Sequence, residues 1–248
     1  MSIPGKSRKM IVNADDFGMS AEANKAIVEA FEMKLISSTT VMTNMPGFDE
    51  ACELTHAHGL VGKIGVHLNL TSGYPLSEPI RQCARFCDDS GMFRVRQTMF
   101  RLSKKEMLAA KTEIEAQIKA CLDRGLCPTH VDSHHHVHTE WPIGTIVIAA
   151  VRQYGINAIR LSRNCGPGID LIHKIYKWVF NARLKAYGLA KSQYFGSASD
   201  VQEILANASG DVEVMVHLTS ESPATRPDRS EEIGLGRWFA TYQLASYS

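Results

Sequence analysis

The 248-residue chain lacks long apolar runs, an excess of one charge, closely paired cysteines and a glycine-rich nucleotide loop. No apolar stretch approaches the roughly 20 residues that cross a bilayer, so no membrane span is expected. With 27 basic and 26 acidic residues the formal net charge is +1, which gives no global field to draw in nucleic acid or an anionic surface. The expected partner is a small molecule, with a homodimer left open. Six cysteines (Cys52, Cys83, Cys87, Cys121, Cys127 and Cys165) include no Cys-x-x-Cys pair, so neither a zinc ribbon nor a disulfide framework is indicated. They read as reduced thiols. The basic N-terminus from Met1 to Lys9 leads straight into a short strand, without the apolar stretch and small-residue cleavage site of a signal peptide. Both observations point to the cytoplasm.

A hydrophobic content of 44% is enough to fill a core, and the length suits one α/β barrel, so residues 1–248 are expected to form a single domain. The chain alternates β-rich runs with helical patterns. Met10-Ile11-Val12 leads into Asn13-Ala14-Asp15-Asp16-Phe17-Gly18, two adjacent carboxylates at the end of a strand. Side chains alternate along a strand, so Asp15 and Asp16 converge only if the backbone turns, as Gly18 permits. One could then hold a metal while the other stays free as a base. Ser20 is placed to cap a helix with Ala23, Ala26, Ile27, Ala30 and Phe31 on one face. Ile36 to Thr43 is strand-like, and Phe48 to His58 is a helix stopped by Gly59.

Ile64 to Leu70 alternates so that His67 and Asn69 share a face, where a histidine needs a polar partner. The stretch from Thr71 to Arg101 reads as a long insertion of the kind that covers a site. Ser103 to Glu106 is a capping box, opening a helix with Met107, Ala110, Ile114, Ile118 and Leu122 directed inward until Gly125. Thr129 to Ser133 is a strand running into His134-His135-His136-Val137-His138, four histidines in five positions. Spacing does not say which of them binds metal. After a helix from Trp141 to Tyr154, Ile156 to Leu161 is strand-like, with Arg160 near its end. A helix from about Asp170 to Tyr187, basic on its outer face, a weak strand at Gln193 to Phe195, a short helix from Asp200 to Ala208 and a strand from Val212 to Leu218 complete the pattern.

About seven strands, each followed by a helix or loop, predict an α/β fold: a distorted (β/α) barrel or, failing closure, a doubly wound sheet. No Gly-x-Gly-x-x-Gly follows the first strand, which disfavours the nucleotide-binding sheet. In a barrel the carboxylates, His67, the histidine run and His217 all fall at the C-terminal ends of strands, the face where catalytic groups gather. One carboxylate and two imidazoles make a common divalent-metal set.

Ile11 to Gly18, Gly65-Val66-His67 and Thr129 to His138, in that order, resemble the YdjC/ChbG-type carbohydrate deacetylases, which are similar in design to the NodB-type polysaccharide deacetylases. The resemblance implies a barrel, one divalent ion (Mg²⁺ or Zn²⁺) and removal of acetyl from an N-acetylated carbohydrate such as a chitooligosaccharide. By the same resemblance Asp16, His67 and His134 are the metal ligands, Asp15 the base, His217 the acid, and Arg160 the residue that orients the base. The sequence departs from the family after His217, where Leu218-Thr219-Ser220 replaces His-Pro, and the stretch from Arg226 to Ser248 is shorter than the family's tail. A catalytically degenerate sugar- or metal-binding barrel and another metal hydrolase with the same ligands are the alternatives.

Overall fold

The computed structural model describes residues 8–95, 99–205, 209–218 and 242–247. Seven strands form one parallel sheet: β1 (Lys9–Phe17), β2 (Ser38–Val41), β3 (Ile64–Leu68), β4 (Val131–Ser133), β5 (Tyr194–Ser197), β6 (Val212–His217) and β7 (Gln243–Leu244). Their order is β4-β3-β2-β1-β6-β5, with β7 paired to the start of β1. β1 is therefore central, flanked by β2 and β6. Its two faces differ in chemistry. Met10, Val12 and Ala14 join the main core under the helices, whereas Ile11 packs with Ala158 and Tyr247 in a small separate cluster, and Asn13 and Asp15 are buried and polar. This alternation is the period-2 pattern of a strand covered on both sides.

The helices form where capping and periodicity direct them. Ser20 accepts a hydrogen bond from the Ala23 amide and opens α1 (Ala21–Glu32). α2 (Phe48–Ala57) follows β2, and the short α3 (Glu78–Arg81) lies within the insertion. The capping box of Ser103 and Glu106 opens α4 (Lys104–Asp123), and α5 (Trp141–Gln153), α6 (Leu171–Ala186) and α7 (Ala198–Ile204) complete the set. In α4 the inward line of Ala110, Ile114 and Ile118 is buried as expected, but it does not extend to Leu122, which is 38% exposed; Cys121 is buried there instead. Steps of four residues overrun a 3.6-residue turn, and a step of three restores the face. The insertion is pinned by buried Glu113 of α4, whose carboxylate oxygens accept the amides of Leu76 and Ser77.

One predicted strand is not a strand. Ile156 to Leu161 makes a single parallel bridge, Ile159 with Val131, held by Val131 N–H to the Ala158 carbonyl and Arg160 N–H to the Val131 carbonyl, both 3.0 Å. Ile159 N–H bonds the Leu189 carbonyl and Asn164 N–H the Phe195 carbonyl, so the segment divides its bonds between two neighbours and builds a ladder with neither. Through it the outer strands β4 and β5 are linked, and the curled sheet is a distorted barrel. The seventh strand is instead Gln243–Leu244. Residues 206–208 of the predicted short helix, Thr219 and Ser220, and 226–241 of the C-terminal stretch lie outside the described residues. Among the described residues no helix is long and apolar enough to cross a membrane.

Candidate active site

The register of β1 against β2 shifts between Ala14 and Phe17, and Asp16 takes a φ of 69°. The turn that separates the two aspartates begins with a bulge at Asp16 itself, in the left-handed region that Asp enters more readily than most residues, and is completed by Gly18, as expected, at a φ of 85°. Asp15 points into the barrel, 2% exposed, while Asp16 stands at its mouth. Gly18 serves packing as well as the turn: a Cβ there would lie 3.0 Å from the Met42 carbonyl oxygen.

Asp16 Oδ1 lies 3.2 Å from His67 Nε2 and 3.0 Å from His134 Nδ1. His67 is held from behind, its Nδ1 2.8 Å from Asp132 Oδ1 and 3.1 Å from Thr40 Oγ1. The Thr40 hydroxyl donates to Asp132 Oδ2, so Nδ1 carries the proton toward Asp132 and Nε2 faces Asp16. A carboxylate behind a histidine in this way fixes its tautomer and orientation for a cation. Burial opposes charge on His67, but Asp132, Asp16 and Asp15 outweigh it and raise its pKa to about 10. Burial likewise opposes ionisation of Asp16, yet hydrogen bonds from His134 and His67 hold it far below the carboxylate range.

The three ligand atoms of Asp16, His67 and His134 lie within 4.8 Å of one another, and the donor set of one carboxylate and two imidazoles fits a divalent metal. Asp15, His67 and Asp132 converge equally closely. That space already holds a cation, because Arg160 bonds both carboxylates.

Arg160 is fully buried at the centre of the barrel and is not a surface ion pair. Its Nη1 and Nη2 donate to the two oxygens of Asp15 at 2.8 and 2.7 Å, Nη1 also lies 2.6 Å from Asp132 Oδ2, and Nε donates to Glu213 Oε1 at 2.5 Å. Burial raises the pKa of Asp15, but Arg160 outweighs it and keeps the carboxyl ionised well below its ordinary range. Glu213 is pushed the other way by burial. Asn13 Nδ2 reaches both Asp15 Oδ1 and Thr40 Oγ1, which ties the carboxylates of the interior into one network.

The four histidines after β4 separate in a 3₁₀ turn, His134–Thr139, in which His135 and His136 have φ of 51° and 57°. His134 goes to Asp16, and His135 Nδ1 lies 3.0 Å from Thr71 Oγ1 of the insertion. His136 leans edge-on to Phe195 and lines a cavity of about 610 Å³ with Ser162, Arg163, Lys177, Ser197 and Met215. His138 is buried: Ser133 Oγ accepts its amide proton and therefore donates to its Nδ1, leaving Nε2–H for the Arg160 carbonyl. Burial keeps His138 neutral, with its pKa well below the usual value.

His217 closes β6 directly opposite Asp15. Its side chain is 53% exposed, with Nε2 4.0 Å from Asp15 Oδ2 and 3.9 Å from Asp16 Oδ2. All six residues singled out in the sequence thus surround one point, while Asn69 does not join them and ties the insertion through Thr71 and Ser72. Sequence reasoning assigned no part to Asp132, Thr40, Asn13 or Glu213. The signal for Glu213 was present, since Glu213, Met215 and His217 alternate with three buried valines.

The structure is similar to that of a protein from Enterococcus faecalis V583 provisionally described as a cellobiose-phosphate cleavage protein, with a TM-score of 0.75 over 98% of both chains at 22% identity, a likeness of fold. A carbohydrate deacetylase of Halalkalibacterium halodurans is 34% identical over 212 residues, 84% of each chain. One from Brevibacillus brevis is 40% identical over 152 residues, 60% of this chain and 57% of the relative, so there the chain spans less than two thirds of the protein it matches. The family model for YdjC-like proteins matches residues 9–242. The chain belongs to the YdjC-like protein family.

Proposed function

We propose that this single-domain chain, residues 1–248, is a cytoplasmic, metal-dependent carbohydrate deacetylase that releases acetate from an N-acetylated sugar. The curated relatives named carbohydrate deacetylase support the reaction class. The observation that carries the mechanism is the junction of two sites at β1: Asp16 with His67 and His134 on one side, Asp15 with Arg160 on the other. Asp16, His67 and His134 would hold one divalent ion, Zn²⁺ suiting the two imidazoles and Mg²⁺ a more water-rich shell. When bound, the ion supplies Lewis-acid chemistry, polarising a carbonyl oxygen and acidifying water.

The chain's own groups do the rest. Asp15, held ionised and oriented by the two-pronged Arg160 contact, takes the proton from the attacking water. Arg160 divides its charge among Asp15, Asp132 and Glu213, so Asp15 keeps more proton affinity than it would with an arginine to itself. His217, at the mouth and in reach of both aspartates, donates the proton to the departing amine. The cleft beside His136 holds the sugar against Phe195 and the polar rim of Ser162 and Ser197.

The test is acetate release from N,N'-diacetylchitobiose by untagged protein with added Zn²⁺ or Mg²⁺, compared with Asp15→Asn and His217→Asn. Both variants should retain metal and lose roughly two to four orders of magnitude in kcat. On an activated acetate ester, whose leaving group needs little protonation, His217→Asn should be far less impaired than Asp15→Asn. Loss of metal in Asp15→Asn would exchange the roles of the two aspartates, and metal-loaded protein that releases acetate from no N-acetylated sugar would overturn the reading.

A further inference from the structure

α6 is apolar on two opposite faces. Phe180 and Leu184 are fully buried against the barrel, whereas Leu171, Ile172, Ile175, Trp178 and Val179 are 39 to 79% exposed. Their spacing of i, i+1, i+4, i+7 and i+8 makes one continuous outward stripe. Phe100, also exposed, stands 6.1 Å from the ring of Tyr176 and widens it. A stripe of this kind marks an interaction surface.

The charge around the stripe selects the partner. Between Leu171 and Ala186 the helix carries His173, Lys174, Lys177, Arg183 and Lys185 and no acidic residue. A cavity of about 600 Å³ opens beside it, lined by Lys174, Lys177, Lys185, Arg163 and Trp178 against a single carboxylate, Glu203. A second copy related by a twofold axis would bring two such basic helices together, a like-charge juxtaposition in which the Asp170 carboxylate at each N-cap is already engaged by His173. An anionic bilayer complements both features at once: its boundary accepts the apolar stripe and tryptophan, and its phosphates accept the lysines.

We propose that α6 docks this protein on an anionic phospholipid bilayer, with Leu171, Ile172, Ile175 and Trp178 entering the headgroup boundary and the lysine-lined cavity receiving lipid phosphate. Arg163 and Lys177 line both this cavity and the cleft beside His136, so docking sets one wall of that cleft at the bilayer surface.

Flotation with vesicles of phosphatidylcholine mixed with phosphatidylglycerol, and of phosphatidylcholine alone, tests the proposal. The protein should float with the mixed vesicles only, and less as salt rises. Ile172→Ser with Trp178→Ser should weaken binding at least about tenfold. Lys174→Glu and Lys185→Glu should each weaken it at least roughly fivefold. The melting temperature and acetate release from a soluble sugar should stay unchanged in all of them. Failure of the unaltered protein to float at low salt overturns the proposal. So does equal flotation of the variants, or a stable solution dimer without vesicle binding that Ile172→Ser with Trp178→Ser dissociates, which would assign the stripe to a second copy.

Discussion

Apart from the insertion, the chain from β1 to α5 proceeds in regular steps, and Ala26, Ile27, Ile114, Ile118, Val147 and Val151 on its helices are almost wholly removed from solvent. From residue 156 to β6 the steps loosen. One strand is reduced to a bridge, and α6 leaves five large apolar side chains outside. The candidate metal ligands Asp16, His67 and His134 all come from the first half, whereas Arg160, Glu213 and His217, the proposed proton donor, come from the second. A cation site demands atoms fixed to a few tenths of an ångström and so uses short segments leaving a rigid sheet. The walls of the cleft beside His136, proposed to take the sugar, need no such regularity and lie mostly on the looser half.

The largest effect that separates the halves is loss of the metal. His67→Ala or His134→Ala should reduce metal content to background and abolish acetate release while the circular dichroism spectrum stays that of the folded protein. Arg163→Ala in the cleft wall should keep the metal and alter chiefly KM. Metal analysis of purified protein distinguishes the outcomes, and full occupancy in both histidine variants would remove them as ligands.

Arg160 is where the two halves are joined electrostatically, so its replacement should be among the costliest for stability. Arg160→Met leaves Asp15, Asp132 and Glu213 buried without their counter-charge, and breaking a buried ion network by removing one partner costs about 3–5 kcal/mol. The denaturant midpoint measures it. Adding Glu213→Gln should recover part of the loss, because one of the unpaired carboxylates is then removed; no recovery would mean that Arg160 acts through packing on Phe195.

What the sequence shows of this arrangement follows the same division. The aspartate pair, His67 and the histidine run could be located because each ends an apolar strand whose period is plain. Arg160 could be placed near the end of a strand-like run, but its surroundings depend on three carboxylates up to 145 residues away, a convergence that only the curled sheet creates. Which histidine of the run faces Asp16 is decided by two successive positive φ values, which no spacing rule encodes. The insertion itself could be anticipated from the loss of periodicity after Leu70, whereas its anchor, Glu113, looks like any polar residue of an amphipathic helix. The outer face of α6 was readable as basic; that it also stays apolar and uncovered depends on which turns the barrel hides.

Acid sensitivity sharpens the comparison, since the turn after β4 carries imidazoles that folding keeps neutral. Burial is the main cause, with Arg160 adding to it, and the pKa of His136 falls to about 4, while His130 and His138 lie well below their usual value. The unfolded chain binds these protons near pH 6.5 and the folded chain does not, so stability should fall as pH drops from about 6.5 towards 4. For His136 alone the change is about 3 kcal/mol over that window. Asp15 and Asp16, depressed in the fold, begin to withdraw stability only below the ordinary carboxylate range. His67, raised to about 10, contributes stability that is complete below pH 6.5 and is lost as pH rises through 10, so it leaves the acid window unchanged. His136→Asn should flatten the dependence of the melting temperature on pH between 6.5 and 4, and an unaltered slope would place the acid sensitivity elsewhere.

The smallest effect is expected on α6. If its outer stripe takes no part in the fold, Ile172→Ala, at a side chain 79% exposed, should change unfolding free energy by no more than about 0.5 kcal/mol. Ile114→Ala, fully buried on α4 in the regular half, removes a comparable side chain and should cost about 2–5 kcal/mol. Phe180→Ala is the internal control: it lies on the same helix as Ile172 but on the buried face, packed beside Gly144, where a Cβ would come within 2.7 Å of its ring. Its loss should cost about 3–5 kcal/mol. If Phe180→Ala and Ile172→Ala prove equally mild, α6 is loosely attached as a whole and the second half is weak throughout. If only Ile172→Ala is mild, the helix is as firmly seated as those of the first half, and its exposed stripe is a surface kept apolar for a purpose other than folding.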